Sequence, residues 1–204
     1  MDIDFAALSG RDIYQFLIQA IVPRPIAWVL SDNGTGNFNL APFSFFNGVT
    51  SRPPTLSISI GKKRDGSKKD TWRNIEDRSH FVVHIASVDM AQEVSDTSAS
   101  LEFGESEITR NHIALSDHPA WPIPRVAKAK IALLCERYQI VEVGDGPQGL
   151  IIGKINRAFV MDELVRSRNE ASLTLSPLEL DPLARLGGDG YAALGRVFDV
   201  ARPE

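Results

Sequence analysis

The chain has a single cysteine, Cys135, among its 204 residues, which excludes an intramolecular disulfide framework. Cys135 stands in the apolar run IALLCERYQIVEV, where a thiol reads as a small buried hydrophobe rather than a reactive group. Positive charge is not in excess, since 22 Lys and Arg face 26 Asp and Glu, for a net charge of −4. That argues against nucleic acid or an anionic membrane as a partner, because phosphate arrays require net or clustered cations. A small anionic ligand stays compatible, since one local group of Lys and Arg suffices for it. No apolar run approaches the length of a membrane span. The start, MDIDFAAL, has no basic segment followed by an apolar one, so no signal peptide and a cytoplasmic location are expected. G-x-S-x-G, Walker and G-x-G-x-x-G patterns are missing. His80, His84, His112 and His118 show no metal-ligand spacing on a common element. His80 and His84 are four apart in a predicted strand, too far to share an ion easily. No internal repeat or low-complexity tract occurs.

What is present suits one soluble domain spanning residues 1–204, with 43% hydrophobic and 24% charged residues. Such a length can bury a core without disulfides or metals. Residues 9–22 predict a helix, with Ser9 as its cap, Asp12 in the first turn and an apolar face of Ile13, Phe16, Leu17 and Ala20. Pro23 and Pro25 end it. IAWVLS (26–31) predicts a strand, and Asp32-Asn33-Gly34 a hairpin turn. The returning strand over 37–46 contains Pro42. Proline cannot donate to a ladder, so this strand is expected to be an edge, bulged or bent. TLSISI (55–60) alternates, with Leu56, Ile58 and Ile60 on one face and Thr55, Ser57 and Ser59 on the other. Asp70 or Thr71 is expected to cap a short helix, and Ser87 a second one whose Val88, Ala91 and Val94 or Ser95 turn inward. HFVVHIA (80–86) predicts a buried strand. Residues 100–127 read as irregular, with the proline-rich loop WPIPRV lying over other structure. Two long strands, 129–143 and 149–161, flank the turn GDGPQ. A short helical piece near 177–184, a glycine turn at Gly187-Gly188 and a tail from 190 complete the chain. Six or seven strands with few helices favour a mainly β antiparallel barrel over a doubly wound sheet.

Residues 23–75 concentrate the unusual features: Pro23, Pro25, Pro42, Pro53 and Pro54, small hydroxylated residues, aromatic pairs, and the loop GKKRDGSKKD with Lys62, Lys63, Arg64, Lys68 and Lys69. Taken singly, Phe43, Phe45 and Phe46 read as core as readily as ligand contacts. The basic loop alone reads as a solvated charge run, and Ser57 with Ser59 as a solvent face. The conjunction points instead to a planar, phosphorylated ligand.

The segment RPIAWVLSDNGTGNFNLAPFSFFNGVTSRPPTLSISI, followed by GKKRDGSKKDTWRNI and FVVHIAS, resembles the flavin reductase-like, FMN-binding split-barrel family. This family includes flavoredoxins and the reductase components of two-component monooxygenases. The resemblance covers about residues 14–160, and ARLGGDGYAALGRVFDVARP is similar to the family's C-terminus, so 161–204 reads as an extension of the core. It implies an antiparallel split β-barrel with short helices, an FMN cofactor, and a homodimer with flavin near the interface. FMN needs a flat slot, polar partners for its pyrimidine edge, and cations or helix-start amides for its phosphate. By resemblance, Ala41, Pro42, Ser44, Asn47, Thr50 and Ser51 offer backbone and polar contacts to the ring, which Phe45 and Phe46 flank. Ser59, Arg64, Lys69, Asp70 and Thr71 surround the phosphate, with Trp28 and Asn39 nearby on the preceding hairpin. No protein nucleophile is required, because the flavin carries the redox chemistry.

Nicotinamide-using members carry G-D-H just before the strand matching 149–156, and this chain reads Gly144-Asp145-Gly146-Pro147-Gln148-Gly149. The later strand INRAFV also lacks a histidine that many members have. Two functions follow from the resemblance. One is an FMN-dependent oxidoreductase that takes electrons from NAD(P)H and passes them to a flavin or other small acceptor. The other is a flavoredoxin-like electron carrier that exchanges electrons with a partner protein and does not use NAD(P)H directly.

Overall fold

The computed structural model describes residues 1–102, 104–146, 148–168 and 172–203. Helix α1 (Gly10–Ala20) starts at Ser9, whose Oγ accepts from the Asp12 amide at 3.2 Å. After it come β1 (Arg24–Pro25), β2 (Ala27–Asp32) and β3 (Phe38–Phe43). The turn between β2 and β3 places Gly34 at φ +76°, a left-handed conformation that glycine adopts without strain. Then follow β4 (Phe46–Ser51), β5 (Pro54–Ile60), α2 (Asp70–Arg78) and β6 (His80–Ile85). A single-turn 3₁₀ segment (Val88–Met90) leads into α3 (Ala91–Asp96). Residues 100–127, expected to be irregular, contain α4 (Glu107–Arg110) and the small pair β7 (Leu115–Ser116) and β8 (Arg125–Val126). The long hairpin is β9 (Ile131–Val143) with β10 (Gln148–Val160). The C-terminal part holds β11 (Val165–Arg168), β12 (Leu173–Leu175), α5 (Pro177–Leu180), β13 (Ala184–Arg185) and β14 (Tyr191–Ala192).

Seven strands form one antiparallel sheet in the order β3-β2-β6-β9-β10-β5-β4. Its two end strands, β3 and β4, are joined by Ser44 and Phe45 alone. In a flat sheet, strands spaced about 4.8 Å apart would put them about 29 Å from each other. Three residue steps from Phe43 to Phe46 span at most about 11 Å. The sheet must therefore curl until its edges meet, which is a barrel split along one seam. Beside that seam the Ser59 amide donates to the Phe45 carbonyl at 2.8 Å, which continues the β4–β5 ladder into the connection.

The placement of β3 explains Pro42. The β2–β3 register runs unbroken from Ala27↔Phe43 to Asp32↔Phe38, and β3 has no ladder partner on its other side. Of the three expected accommodations, the edge position is the one adopted, and there the missing N–H costs no ladder bond.

β2 is buried on both faces, which divides the core in two. Ala27 and Val29 face the barrel interior with Leu56, Ile58, Ile60, Trp72, Phe81 and Ile151. Trp28 and Leu30 face outward into a second cluster with Leu40, Val82, Met90, Val94 and Trp121. The WPIPRV loop covers this outer cluster through Trp121, Ile123 and Val126. Gly149 is fixed by the inner one: a Cβ there would lie 2.8 Å from the Trp72 ring. The C-terminal strand β13 pairs with β1, and buried Arg24 ties the same region together by donating to the carbonyls of Ile21 and Leu186 at 2.9 and 2.8 Å.

Three local expectations need correction. Lys69, not Asp70 or Thr71, occupies the cap of α2, and its side chain makes no capping hydrogen bond. Ser87 likewise makes no capping bond, although Val88, Ala91 and Val94 do turn inward against the outer cluster, joined there by Met90. The helix near 177–184 is limited to Pro177–Leu180, because Asp181 turns left-handed at φ 45°.

Candidate functional site

A cavity of about 520 Å³ opens between three segments. One wall is β3, through Asn39, Ala41, Pro42 and Phe43. The second is the loop before α2 and the start of that helix, through Lys62, Lys63, Arg64, Asp65, Lys69, Asp70 and Thr71. The third is the stretch 97–101 after α3, with Glu107 of α4 beside it.

Buried side-chain amides hold the first two walls together. Asn39 Nδ2 donates to Thr71 Oγ1 at 2.8 Å, and both residues are almost fully buried. Thr71 thus keeps its own hydroxyl proton for another acceptor. One turn further along α2, Asn74 donates to Ser31 Oγ at 3.1 Å and to Asn33 Oδ1 at 2.8 Å. Asn33 Nδ2 in turn donates to Asn37 Oδ1 at 2.9 Å. The Lys-Asp-Thr-x-x-Asn order therefore serves two ends: Lys69, Asp70 and Thr71 at the helix start line the cavity, and Asn74, on the same face as Thr71, locks the helix to the β2–β3 hairpin.

The site is electropositive but not uniformly so. The first amides of α2 have no intrahelical acceptor, and the Lys69 side chain at the cap makes no hydrogen bond to them. Lys69 Nζ sits 5.8 Å from the centre of the Phe43 ring. Burial, and then repulsion from Lys63, holds its ammonium below the usual lysine range. Lys63 Nζ lies 2.9 Å from Asp70 Oδ1, an ion pair by distance whose angles do not form a hydrogen bond, so Oδ1 is left without a donor. Glu107 Oε2 accepts from the Leu40 amide at 3.0 Å. Loss of solvation raises its carboxyl above the usual range, opposed by that amide, while Asp70 adds to the rise.

The third wall is anchored from behind. Trp28 is buried in the outer cluster and donates through Nε1 to Thr97 Oγ1 at 2.8 Å. Thr97 donates in turn to the Glu93 carbonyl at 3.0 Å. His84, fully buried, has Nδ1 2.9 Å from the Trp28 carbonyl and accepts through Nε2 from the Val126 amide at 2.9 Å. That pattern assigns the proton to Nδ1 and occupies both nitrogens. Among the described residues no group of His, Cys, Asp or Glu is placed to hold a metal.

Of the residues singled out in the sequence, Asn39, Ala41, Pro42, Arg64, Lys69, Asp70 and Thr71 line this cavity. Trp28 stands behind its wall. Ser44 lines a smaller adjoining cavity of about 120 Å³, which shares Pro42, Phe43 and Ser98 with the main one. Phe45 is 38% exposed, with its ring 6.5 Å from that of Tyr14. Phe46, Asn47, Thr50 and Ser51 lie on β4, and Ser59 lies on β5 at the seam; none of these five lines the cavity. Residues 97–101 and Glu107 line it without having been anticipated. Their sequence, within SDTSASL and SEITR, carries no motif, and only packing brings it to the site.

Comparison with known proteins agrees with this architecture. A family model described as a flavin reductase like domain matches residues 19–178. The chain is 36% identical to the uncharacterized protein YwrF of Bacillus subtilis over 201 residues, covering 96% of each chain. It superposes on nitrilotriacetate monooxygenase component B from Bacillus cereus with a TM-score of 0.90 at 32% identity, covering 98% of both chains. On the 2-nitrobenzoate 2-nitroreductase NbaA of Pseudomonas fluorescens the TM-score is 0.85 at 27% identity, covering 100% of this chain and 96% of that one. Among the described residues no helix is long and apolar enough to cross a membrane. With a barrel split at the β3–β4 seam and a family match across most of its length, the chain belongs to the flavin reductase-like family of split-barrel oxidoreductases.

Proposed function

We propose that this protein is an FMN-dependent oxidoreductase that passes electrons through the bound flavin to a second flavin or another small acceptor, with NAD(P)H as donor. The observation that carries this reading is the donor set of the main cavity. A helix start that the Lys69 side chain does not cap, together with Thr71 and the cations Lys62, Lys63, Arg64 and Lys69, lines the same space of about 520 Å³. Helix-start amides with cations are the chemistry that binds a phosphate. The opposite wall, Ala41–Phe43, offers an edge strand whose outward backbone groups have no ladder partner, suited to the polar rim of a flat ring. The space falls within the range typical of small-molecule sites.

In this reading Thr71, Arg64, Lys69 and the first amides of α2 hold the phosphate, and Lys63 neutralises Asp70 so that the carboxylate does not repel it. Asn39 orients the Thr71 hydroxyl. Ala41, Pro42 and Phe43 flank the ring. Bound FMN supplies the electron transfer itself, and the protein supplies position and field.

The protein acts as a homodimer in the cytoplasm. β4 supports the first of these points: it is the uncovered end strand, Asn47 to Ser51 are exposed along it, and Val49 is 55% exposed. A second copy on this edge would cover its open ladder groups. It would also bring Asn47, Thr50 and Ser51 near a flavin.

A flavoredoxin-like carrier that exchanges electrons with a partner protein is favoured by one observation. The turn between β9 and β10 has no histidine, and its described residues Gly144, Asp145 and Gly146 are exposed and do not line the cavity. Anaerobic mixing of the FMN-loaded protein with NADH and with NADPH separates the two. Rapid bleaching of the flavin absorbance by either nucleotide is the expected result. Failure to bleach with both, with FMN retained, would establish the carrier reading. Colourless protein that takes up no added FMN would refute both.

A further inference from the structure

The main cavity continues past Pro42 and Phe43. These two residues and Ser98 also line the smaller cavity of about 120 Å³, less than a quarter of the main one. Its far side is formed by Arg185 and Tyr191 of the C-terminal hairpin, with Ser44 beside them. We propose that this side cavity is a subsite for a carboxylate on the electron acceptor, with Arg185 as its cation and Ser44 as a hydroxyl donor. The proposal rests on the flavin reading for one point only, that the molecule seated beside the main cavity is the acceptor.

Three observations support it. First, Arg185 is held in place by its own hairpin. Its guanidinium carbon is 4.6 Å from the centre of the Tyr191 ring, and Nη1 donates to the Gly190 carbonyl at 2.7 Å. That leaves the rest of a planar fork, the geometry that matches a carboxylate. Second, Arg24 stands behind the same wall. It is 4% exposed and donates through Nε to Ser44 Oγ at 3.3 Å, so Ser44 keeps its own proton to donate. Third, among the described residues neither guanidinium has a carboxylate within ion-pair distance. Arg24 is buried and Arg185 half-buried; a buried cation without a counter-ion is costly, and an anion in the side cavity would offset part of that cost. Ile26, Pro42, Phe43 and Val94 add apolar lining and Ser98 one further hydroxyl, so the body that carries the carboxylate should be largely apolar.

Benzoate and its neutral isostere benzamide test the subsite by calorimetric titration of the full chain, with and without FMN. Benzoate should bind at least about tenfold more tightly, as expected when one charge-assisted contact is present in only one of the two ligands. Arg185→Gln should abolish that difference and Arg185→Lys should keep part of it, both with FMN affinity within about twofold of the parent. Equal binding of benzoate and benzamide would overturn the proposal, as would unchanged benzoate affinity in a folded Arg185→Gln protein. If Arg185→Gln does not fold, Ser44→Ala replaces it, and unchanged benzoate affinity there is equally fatal. Should Arg185→Gln weaken NADPH or inorganic phosphate more than benzoate, the anion is a phosphate and the carboxylate assignment falls. A benzoate preference in protein that binds no FMN would support the subsite while overturning the flavin reading.

Discussion

β3 and β4 come from one short stretch of chain, separated by two residues, yet they end in opposite environments. β3 is covered by α2, α3 and α4, its Asn39 and Leu40 are buried, and it forms a cavity wall. β4 has one half-buried residue, Phe46, and five exposed ones. Both are end strands of the same sheet, so hydrogen-bond pairing does not separate them. What separates them is what packs on the outside. The chain after β5 returns to β3 as helices, whereas Asn47 to Ser51 of β4 stay exposed. The family resemblance therefore made residues 41–51 look like one ligand wall, while tertiary covering makes the first part a pocket and the second an open edge.

The largest effect that could break this contrast concerns stability. Leu40→Ala should cost about 2–5 kcal/mol by opening a cavity in the outer cluster. Val49→Ala on the exposed edge should stay within about 0.5 kcal/mol. Urea unfolding of both variants checks this, and comparable losses would mean that β4 is as well packed as β3.

The pH dependence sharpens the same point, because His84 anchors the covered side. Burial depresses its pKa to about 4, against the Trp28 carbonyl, which favours the charged form, while Arg125 adds to the depression. The unfolded chain protonates near 6.5 and the folded chain does not, so the contribution is complete above pH 6.5 and is lost as pH falls from 6.5 to about 4. The loss should reach about 3 kcal/mol. An NMR titration should place the ring midpoint near 4; a midpoint near 6.5 would show that the covered side admits water.

Ligand binding should divide along the same line. Thr71→Ala should weaken FMN binding about tenfold, the value of one hydrogen bond to a charged group. Ser59→Ala should change it less than about twofold, since Ser59 makes its seam contact through the backbone amide. Fluorescence titration of FMN distinguishes them, and an equal loss in both would move the phosphate toward the seam.

The smallest effect on the fold is expected from Val49→Asp, within about 0.5 kcal/mol for the monomer. If β4 is the dimer edge, light scattering of this variant should show half the parent's mass. A parent that is already monomeric would refute the edge assignment.

Much of the fold was legible because its signals are local. Alternation in TLSISI marked β5, the Asn33-Gly34 turn marked the hairpin, and Pro42 restricted its strand to an edge or a distortion. The cavity was legible in the Lys69-Asp70-Thr71 run and in Asn39. Lys69 as the cap of α2 was not legible, because a cap without a side-chain acceptor has no residue signature. Glu107 and 97–101 were hidden for a different reason. Their link to the site is the Leu40 amide in one case and the Trp28 indole in the other, reached across 67 and 69 residues.

By itself the sequence determined the elements and their chemistry: a strand at 26–31, a returning strand that Pro42 restricts to an edge or a distortion, a cationic loop opening into a helix, and a family resemblance centred on them. These follow from torsional limits and side-chain periodicity, which act over a few residues. Only the tertiary structure decided that the sheet curls until β3 and β4 share a seam, that the helices cover one edge and leave the other open, and that Arg185 and Ser44 line one small cavity. Those outcomes depend on accumulated twist and on packing between segments far apart in the chain, as when Arg24 reaches the Leu186 carbonyl across 162 residues.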